Sequence, residues 1–279
     1  MTSVVRNNAS AGPLRHILSL SGGKDSTALA IYMKGRVPEM EYVFCDTEKE
    51  LPETYEYLDR LQAFLDRPIR RLKHDEGLGF DALLQIRRGF LPSPQARWCT
   101  DYLKIKPFEK YVGTDPVLNY VGIRADEPHR KGYISTKPNI TARFPFVEDN
   151  IRKGDVLRIL RESGLGIPSY YRWRSRSGCY FCFFQQRREW IGLLENHPDL
   201  YEQAMAYERT DPLTGEKYTW IQNGSLADLA RPERIAQIKE EYQRRLAREK
   251  AFCANASLGE VLEVDGDAAG PRGCLVCDL

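Results

Sequence analysis

The feature that most restricts the fold of this chain is a short apolar run leading into a glycine-containing loop. Leu14 to Leu20 is typical of a strand, and Ser21-Gly22-Gly23-Lys24-Asp25-Ser26 follows it directly. Apolar residues from Ser26 to Lys34 then have helical spacing. Two glycines allow close approach of a ligand to the backbone, and a helix N-terminus adds partial positive charge. We therefore expect this loop to bind phosphate, although its spacing is not that of a Walker A loop.

Predicted strands and helices continue to alternate after this loop. Strands are expected at 41–45, 69–72 and 117–123, and helices at 52–66 and 81–88. Such alternation is typical of an α/β fold with a parallel sheet and helices on both faces. Ligands of these sheets bind beyond the carboxyl ends of the strands. This rule points to three segments, namely the Gly22-Gly23 loop, Asp46-Thr47 and Gly122-Ile123-Arg124.

The character of the sequence changes after about residue 146. The second part is expected to be mainly helical and rich in cysteine, arginine and aromatic residues, with helices at 152–163, 198–208 and 232–252. We expect four segments: a flexible N-terminus (1–13), an α/β domain (14–146), the helical part (147–252) and a flexible tail (253–279).

Composition excludes several classes of protein. The 279 residues are 42% hydrophobic with a net charge of +2, so nucleic-acid binding would need a local patch rather than an overall positive field. The first residues lack an apolar signal region, and no run is apolar enough to span a bilayer. We expect a cytoplasmic protein that does not enter membranes, in which the seven cysteines are thiols or metal ligands.

Several further motifs make the sequence resemble a known superfamily. Ser21 to Ser26 is similar to the pyrophosphate loop (PP-loop) of the N-type ATP pyrophosphatases, which have the adenine nucleotide alpha hydrolase-like fold. Four more segments resemble the phosphoadenylyl-sulfate (PAPS) reductase branch: residues 44–54, Arg97-Trp98-Cys99-Thr100, 122–127 and 177–182. The resemblance covers about residues 14–195. It implies cleavage of ATP between the α and β phosphates and adenylation of an acceptor oxygen.

The resemblance also implies roles for individual residues. Lys24 and Arg124 would neutralise the polyphosphate, while Asp25 and Glu127 would assist Mg²⁺ or orient those two cations. The remaining ATP contacts implied are Ser21, Gly22, Gly23, Ser26, Asp46, Thr47 and Gly122, in addition to Lys24 and Asp25.

Three cysteines form a candidate metal site. Cys179 and Cys182 have ligand spacing, and Cys99 belongs to the same family pattern. Three thiolates can hold a [4Fe-4S] cluster with one iron open, whereas a fourth thiolate would suit a closed cluster or Zn²⁺. Buried thiols without a metal are the third alternative. The roles of Cys253, Cys274 and Cys277 stay open.

A basic and aromatic stretch precedes the Cys179-x-x-Cys182 motif. Arg172, Arg174 and Arg176 alternate with tyrosine and tryptophan residues. Guanidinium groups bind phosphate bidentately and aromatic rings stack on bases, so a nucleic-acid patch is one interpretation. A grip on the phosphates of a small nucleotide and a solvated face over packed rings are the alternatives.

Three functions are compatible with these features. The first is an ATP pyrophosphatase that activates an oxygen for sulfur transfer, and here the chain resembles the enzymes of DNA phosphorothioation systems of the Dnd and Ssp type. That resemblance implies a cysteine desulfurase as sulfur donor and nucleic acid as acceptor, with DNA favoured over tRNA. A PAPS or adenylyl-sulfate reductase is the second, although the expected Glu-Cys-Gly ending and an adjacent cysteine pair are absent. A nucleotide-binding subunit without turnover is the third. The oligomeric state, with a homodimer as one alternative, is open.

Overall fold

A parallel sheet of five strands organises the molecule. The computed structural model describes residues 12–74, 78–130, 132, 135–211 and 214–255, with the backbone alone for 249–255. The strand order is β3-β2-β1-β4-β5, and all four pairings are parallel. The strands are β1 (Arg15–Leu20), β2 (Glu41–Cys45), β3 (Ile69–Leu72), β4 (Val117–Tyr120) and β5 (Ile140–Arg143).

The strand order places a topological switch point between β1 and β4. From β1 the chain builds outward through β2 to β3, and it then returns to the opposite side of β1 with β4. The loops that leave β1 and β4 therefore diverge, which opens a crevice beyond the carboxyl ends of these two strands.

Helices cover both faces of the sheet, as the strand–helix alternation predicts. Eleven helices lie within the described residues: α1 (Lys24–Met33), α2 (Pro52–Leu65), α3 (Phe80–Ile86), α4 (Trp98–Thr100), α5 (Lys106–Val112), α6 (Pro145–Glu148), α7 (Lys153–Glu162), α8 (Arg187–Asn196), α9 (Pro198–Ala206), α10 (Leu226–Leu229) and α11 (Pro232–Asn255). A π-helical turn, Asp101–Ile105, joins α4 to α5, and a 3-10 turn spans Ser169–Arg172. A short hairpin consists of β6 (Arg209–Thr210) and β7 (Lys217–Tyr218).

Alternating side chains of the strands supply two separate hydrophobic clusters. Leu18 and Leu20 of β1 pack with α1, α2 and α7 on one face. Ile17 of β1 and Val43 of β2 pack with α5 on the other. Because successive side chains of a strand point to opposite faces, a strand that is covered on both sides is apolar throughout. The predicted α/β fold is confirmed.

A third, aromatic cluster forms the centre of the helical part. Trp190, Phe181 and Trp220 pack there with Phe80 and Trp98, which precede residue 147 in the sequence. The helical part therefore shares a core with the segment between β3 and β4, while the division at residue 147 stays a prediction. No described helix combines the length and apolarity needed to cross a membrane.

Several elements were not expected from the sequence. β5, α5 and α8 had no predicted counterpart, and β4 ends at Tyr120 rather than at residue 123. α11 continues to Asn255, past the predicted start of the tail. Most of the segments predicted to be flexible, including Cys274 and Cys277, lie outside the described residues, and Cys253 lies where the backbone alone is described.

Candidate nucleotide site and cysteine cavity

The predicted phosphate loop lies at the switch point, where Ser21 to Gly23 join β1 to α1 and Lys24 to Ser26 form the first turn of α1. Gly22 has a φ of +71°, and a Cβ there would lie 2.5 Å from Cγ2 of Thr54. At Gly122, just after β4, a Cβ would lie 3.0 Å from the backbone of Asp25 and Ser26. Glycine is required at both positions, at the first for its left-handed backbone and at the second because two backbones approach closely.

Hydroxyl groups line the interior of this loop. The Ser21 amide donates to Oγ of Ser26 at 3.1 Å, and the Ser21 and Ser26 hydroxyls are also 3.1 Å apart. Ser177, from the helical part, donates to Oγ of Ser21 at 3.2 Å. Three hydroxyls thus meet at the loop, and each can turn its hydrogen towards an anion. Ser177 stood within a family motif, but the sequence did not indicate that it reaches this loop.

Asp25 holds the two cations predicted to bind phosphate. Its Oδ2 accepts from Nζ of Lys24 at 2.6 Å, and its Oδ1 accepts from Nη1 of Arg124 at 3.0 Å. Burial favours the neutral carboxyl, but the charges of Lys24 and Arg124 outweigh it and lower the pKa of Asp25. Burial likewise disfavours the charged ammonium of Lys24, and Asp25 reverses this and raises the Lys24 pKa. Both side chains are therefore ionised at neutral pH.

Arg124 is surrounded by carboxylates rather than open to the crevice. Its side chain is 1% exposed and also contacts Asp126 at 2.8 Å and Glu127 at 3.6 Å. Glu127 in turn accepts from Arg130 at 2.8 Å. Burial opposes the charge on Arg124, but Asp25 and Glu127 raise its pKa further above the ordinary value. In this arrangement Arg124 orients Asp25 and Lys24, and its guanidinium is not presented to a ligand.

The 3-10 turn Ser169–Arg172 lies over the phosphate loop. Tyr170 donates its hydroxyl hydrogen to the Gly22 carbonyl at 2.8 Å, and the Tyr171 hydroxyl accepts from the Lys24 amide at 3.3 Å. The two rings stack with centroids 5.0 Å apart. One amide of the predicted anion site is therefore bonded to Tyr171. The sequence did not indicate either contact, because 147 residues separate Lys24 from Tyr171.

Asp46 and Thr47 lie at the carboxyl end of β2 and make different contacts. Oδ1 of Asp46 accepts from the Glu48 amide at 2.9 Å and from the Tyr55 hydroxyl at 2.8 Å. The Thr47 hydroxyl lies 3.2 Å from Sγ of Cys179 and lines the same cavity as the cysteines. Asp46 thus caps the turn after β2, and Thr47 belongs with the thiols in this structure.

The three predicted metal ligands line one cavity. Cys99, Cys179 and Cys182 surround it together with Lys104, Phe181 and Phe184, among other residues. Nη2 of Arg176 donates to Sγ of Cys182 at 3.9 Å. Sequence positions 80 residues apart are thereby brought to one site, since α4 carries Cys99 and the turn before α8 carries the other two.

Burial strongly disfavours ionisation of two thiols in this region, Cys179 and Cys45. It raises the pKa of Cys179, and the nearby carboxylate of Glu50 adds to the effect, while Lys104 opposes it. Cys45 lies beneath this region, donates to the Lys104 carbonyl at 3.4 Å, and has a pKa raised by burial to about 12. In the absence of a bound cation both groups remain thiols at neutral pH.

Whether the described residues suit a metal depends on their donor atoms and on how these atoms are arranged. Three thiols on one cavity match the donor set of an iron–sulfur cluster. Among the described residues, however, no three His, Cys, Asp or Glu side chains are arranged around a single ion position. For Mg²⁺, the Asp25 and Glu127 oxygens already accept hydrogen bonds from cations. Magnesium commonly keeps several waters and binds substrate phosphates, so the triphosphate itself would supply its other ligands.

The predicted arginine patch needs correction at Arg174. This side chain is 1% exposed and donates to the carbonyls of Gly178 at 2.9 Å and Cys179 at 2.7 Å. Arg174 therefore stabilises the backbone of the cysteine motif from inside the fold and cannot contact a nucleic-acid backbone. Arg172 is exposed, and Arg176 lies with its guanidinium 5.0 Å from the ring centroid of Phe184.

Comparison with known proteins identifies the family of this chain. Residues 15–182 match the model of the phosphoadenosine phosphosulfate reductase domain. The chain belongs to this family. The match includes the phosphate loop, the Arg124 network and all three cysteines of the cavity, so this PAPS reductase-like, nucleotide-binding domain contains both sites described above.

Two curated relatives have similar sequences. An uncharacterized protein of Methanocaldococcus jannaschii is 26% identical over 225 residues, which cover 75% of this chain and 44% of the relative. A nin region protein of Escherichia phage lambda is 28% identical over 209 residues, or 64% of this chain and 68% of the relative. The chain thus spans less than half the length of the archaeal relative.

A solved structure is also similar. The phosphate complex of PAPS reductase from Candida auris is 14% identical, with a TM-score of 0.47, and the match covers 62% of this chain and 84% of that one.

Proposed function

We propose that this PAPS reductase-like chain is an ATP pyrophosphatase that activates an acceptor oxygen for sulfur transfer, with DNA phosphate as the acceptor. The assignment to phosphorothioate modification of the Dnd and Ssp type is part of this proposal. So are a cysteine desulfurase as the sulfur source, ATP with Mg²⁺ as the co-substrate, and the roles of the phosphate-loop residues, with Arg124 positioning Lys24 and Asp25 rather than contacting the polyphosphate.

The observation that carries the proposal is the position of residues 177–182. Ser177 contacts the phosphate loop through Ser21, and four of the next five residues, Gly178, Cys179, Phe181 and Cys182, line the cysteine cavity. One segment therefore joins a site suited to a polyphosphate with a site that contains three thiols. An enzyme that activates an oxygen and then replaces it with sulfur needs both functions side by side, because the activated intermediate must meet the sulfur before water does.

The first step uses the residues of the loop. The loop amides, the hydroxyls of Ser21 and Ser26, and the Lys24 ammonium bind the β and γ phosphates of ATP. The acceptor oxygen attacks the α phosphorus, a new P–O bond forms, and the bond to the β phosphate breaks. Pyrophosphate carries the negative charge away, and Lys24, held by Asp25, stabilises that charge.

In the second step a sulfur nucleophile displaces AMP from the activated phosphate. The original oxygen leaves with AMP, and the sulfur takes its place. The sulfur enters at the sulfide level, from a cysteine desulfurase acting with a thiol reductant. Cys99, Cys179 and Cys182 would hold a [4Fe-4S] cluster, which would supply Lewis-acid chemistry for delivery of the sulfide; zinc would instead have a structural role.

Pyrophosphate release tests the proposal. Protein purified without oxygen is incubated with MgATP and DNA, and pyrophosphate is measured for wild type, Lys24→Ala and Lys239→Ala, an exposed lysine of α11. We expect release by wild type and Lys239→Ala and none by Lys24→Ala. Mass spectrometry of cellular DNA and tRNA, with and without the gene, then looks for a sulfur-for-oxygen mass change. Sulfur found only in tRNA would replace DNA as the acceptor.

The cofactor is tested on the same preparation. A cluster predicts a brown protein that absorbs at ~400 nm and contains iron and sulfide. A colourless anaerobic protein with stoichiometric zinc would contradict the cluster.

The family match favours one competing function, PAPS reduction. That function predicts sulfite from PAPS in the presence of thioredoxin, and it predicts no ATP-dependent release of pyrophosphate. If sulfite forms and pyrophosphate does not, the proposed ATP pyrophosphatase is excluded.

A further inference from the structure

A basic surface with exposed apolar side chains lies between α3 and α4. From residue 82 to residue 100 the chain contains three arginines, Arg87, Arg88 and Arg97, and no acidic residue. Ile86 is 66% exposed and Phe90 42% exposed. We call residues 86–97, together with Arg176 and Arg209, the 86–97 surface. In a chain with a net charge of only +2, this is a local concentration of positive charge.

The arginines of this surface are interleaved with aromatic rings. The guanidinium of Arg87 lies 5.2 Å from the ring centroid of Trp98, and that of Arg209 lies 5.1 Å from Tyr218. Phe90 packs edge-on against Tyr218 at 5.8 Å, which fixes its orientation while leaving much of its ring in solvent. Such contacts hold long side chains in place without neutralising their charge.

The 86–97 surface adjoins the cysteine cavity. Pro92 belongs to both the surface and the cavity wall. Phe184, another wall residue, has the Arg97 guanidinium 5.1 Å and the Arg176 guanidinium 5.0 Å from its ring centroid. Two cationic groups thus flank one wall of the cysteine cavity, which is lined by Cys99, Cys179 and Cys182. A polyanion bound across the surface would pass close to the thiols.

We infer that the 86–97 surface binds a single strand of DNA and guides its backbone to the cysteine cavity. This inference rests on the proposed function, because it takes the DNA acceptor from there. The chemistry is that of single-strand binding: guanidinium groups contact successive phosphates, and an exposed ring such as Phe90 stacks on a base. The hairpin also carries Asp211 and Glu216, so the footprint is placed on the side of residues 86–97.

The test measures binding of a fluorescent single-stranded oligonucleotide by anisotropy at several salt concentrations, without nucleotide. The double variant Arg88→Gln/Arg97→Gln removes two phosphate contacts, and the slope of log K against log salt should become shallower by about 1.4, roughly 0.7 for each contact. Arg158→Gln/Arg161→Gln is the matched control. It makes the same change in charge on α7, which packs in another cluster, and it should bind as wild type does.

The aromatic contribution has its own variant. Phe90→Ala should weaken binding at least about 5-fold with little change in the salt slope, since stacking does not depend on counterion release. Ile167→Ala, which truncates another exposed apolar residue, serves as its control. A duplex of the same sequence should compete several-fold less well, because its bases are already stacked.

The inference would be overturned if Arg88→Gln/Arg97→Gln and Phe90→Ala both bound the oligonucleotide with the affinity and salt slope of wild type. A preference for the duplex would also overturn it. Thermal melting of each variant establishes that the fold is intact. Because binding is measured without ATP, its outcome is independent of pyrophosphate release. If the protein released no pyrophosphate but still bound the oligonucleotide through Arg88 and Arg97, the proposed function would be refuted and the 86–97 surface would remain a DNA-binding surface.

Discussion

Replacing Gly122 with alanine tests the close packing on which the candidate nucleotide site depends. The new Cβ would lie 3.0 Å from the carbonyl carbon of Asp25 and the nitrogen of Ser26, and 3.1 Å from the Asp25 carbonyl oxygen. Ordinary contacts of this kind are 3.4–4 Å, so backbone must move by a few tenths of an ångström. Overpacking costs about 1–3 kcal/mol, whereas the reduced entropy of the unfolded chain returns only about 0.4–1 kcal/mol. The steric term dominates, and we expect net destabilisation of about 1–2 kcal/mol.

The displaced atoms belong to the residues predicted to hold the leaving pyrophosphate. A shift of the first turn of α1 moves Lys24 and Asp25 together, and since a misplacement of about 1 Å can cost about 100-fold, a smaller shift should reduce the rate by about 10-fold. Denaturant unfolding and pyrophosphate release measure the two effects. Gly154→Ala is the matched control, because nothing lies within 4 Å of its Cβ and α7 should gain about 0.5–1 kcal/mol. A Gly122→Ala protein with wild-type stability and rate would refute the close approach of β4 to α1.

Three other variants or modifications test contacts made by the helical part. Arg174→Ala leaves two buried carbonyls of the cysteine motif without their donor, and at about 1–3 kcal/mol for each it should lower the free energy of unfolding by about 2–5 kcal/mol. Arg172→Ala, at an exposed position, should change it by less than about 0.5 kcal/mol. Tyr171→Phe removes the hydroxyl that accepts a hydrogen bond from the Lys24 amide, and so leaves this amide available to a phosphate. Calorimetry with a non-hydrolysable ATP analogue should then give about 2-fold to 10-fold tighter binding. Weaker binding would instead indicate that the hydroxyl contacts the ligand. Burial raises the pKa of Cys45 to about 12, so iodoacetamide at pH 8 should spare this thiol in metal-free protein while it labels half-buried Cys182. Equal labelling by mass spectrometry would contradict the buried environment of Cys45.

The elements predicted correctly were those with strong local patterns. Glu41–Cys45 is an unbroken run of strand-forming residues, and Pro52–Leu65 has an apolar stripe with proline at its first turn. β5, at the edge of the sheet, was missed because Ile140–Arg143 has one buried residue and no clear alternation. The local signal for such a strand is weak, and its pairing with β4 stabilises it.

In the candidate site, too, local features were predicted and contacts between distant segments were not. Residues 21–26 follow β1 and lead into α1 as predicted, because glycines, hydroxyls and a following helix are all local features, although α1 already begins at Lys24 rather than at Ser26. The sequence could not place Tyr171 and Ser177 over that loop, since both arrive from about 150 residues away. The prediction that Arg174 belongs to a phosphate-binding patch was wrong, because the spacing of arginines does not show whether a side chain faces solvent or a buried carbonyl.

By itself, the sequence determined that a strand, a phosphate-type loop and a helix begin an α/β domain, and that three cysteines occur in motifs. Those properties depend on neighbouring residues, whose spacing can be read directly. The tertiary structure alone decided that Arg124 is enclosed by carboxylates, that Cys99 shares a cavity with Cys179 and Cys182, and that the exposed basic surface lies at residues 86–97. Burial and contacts between distant segments set the charge and reach of a side chain, and these arise only when the chain packs.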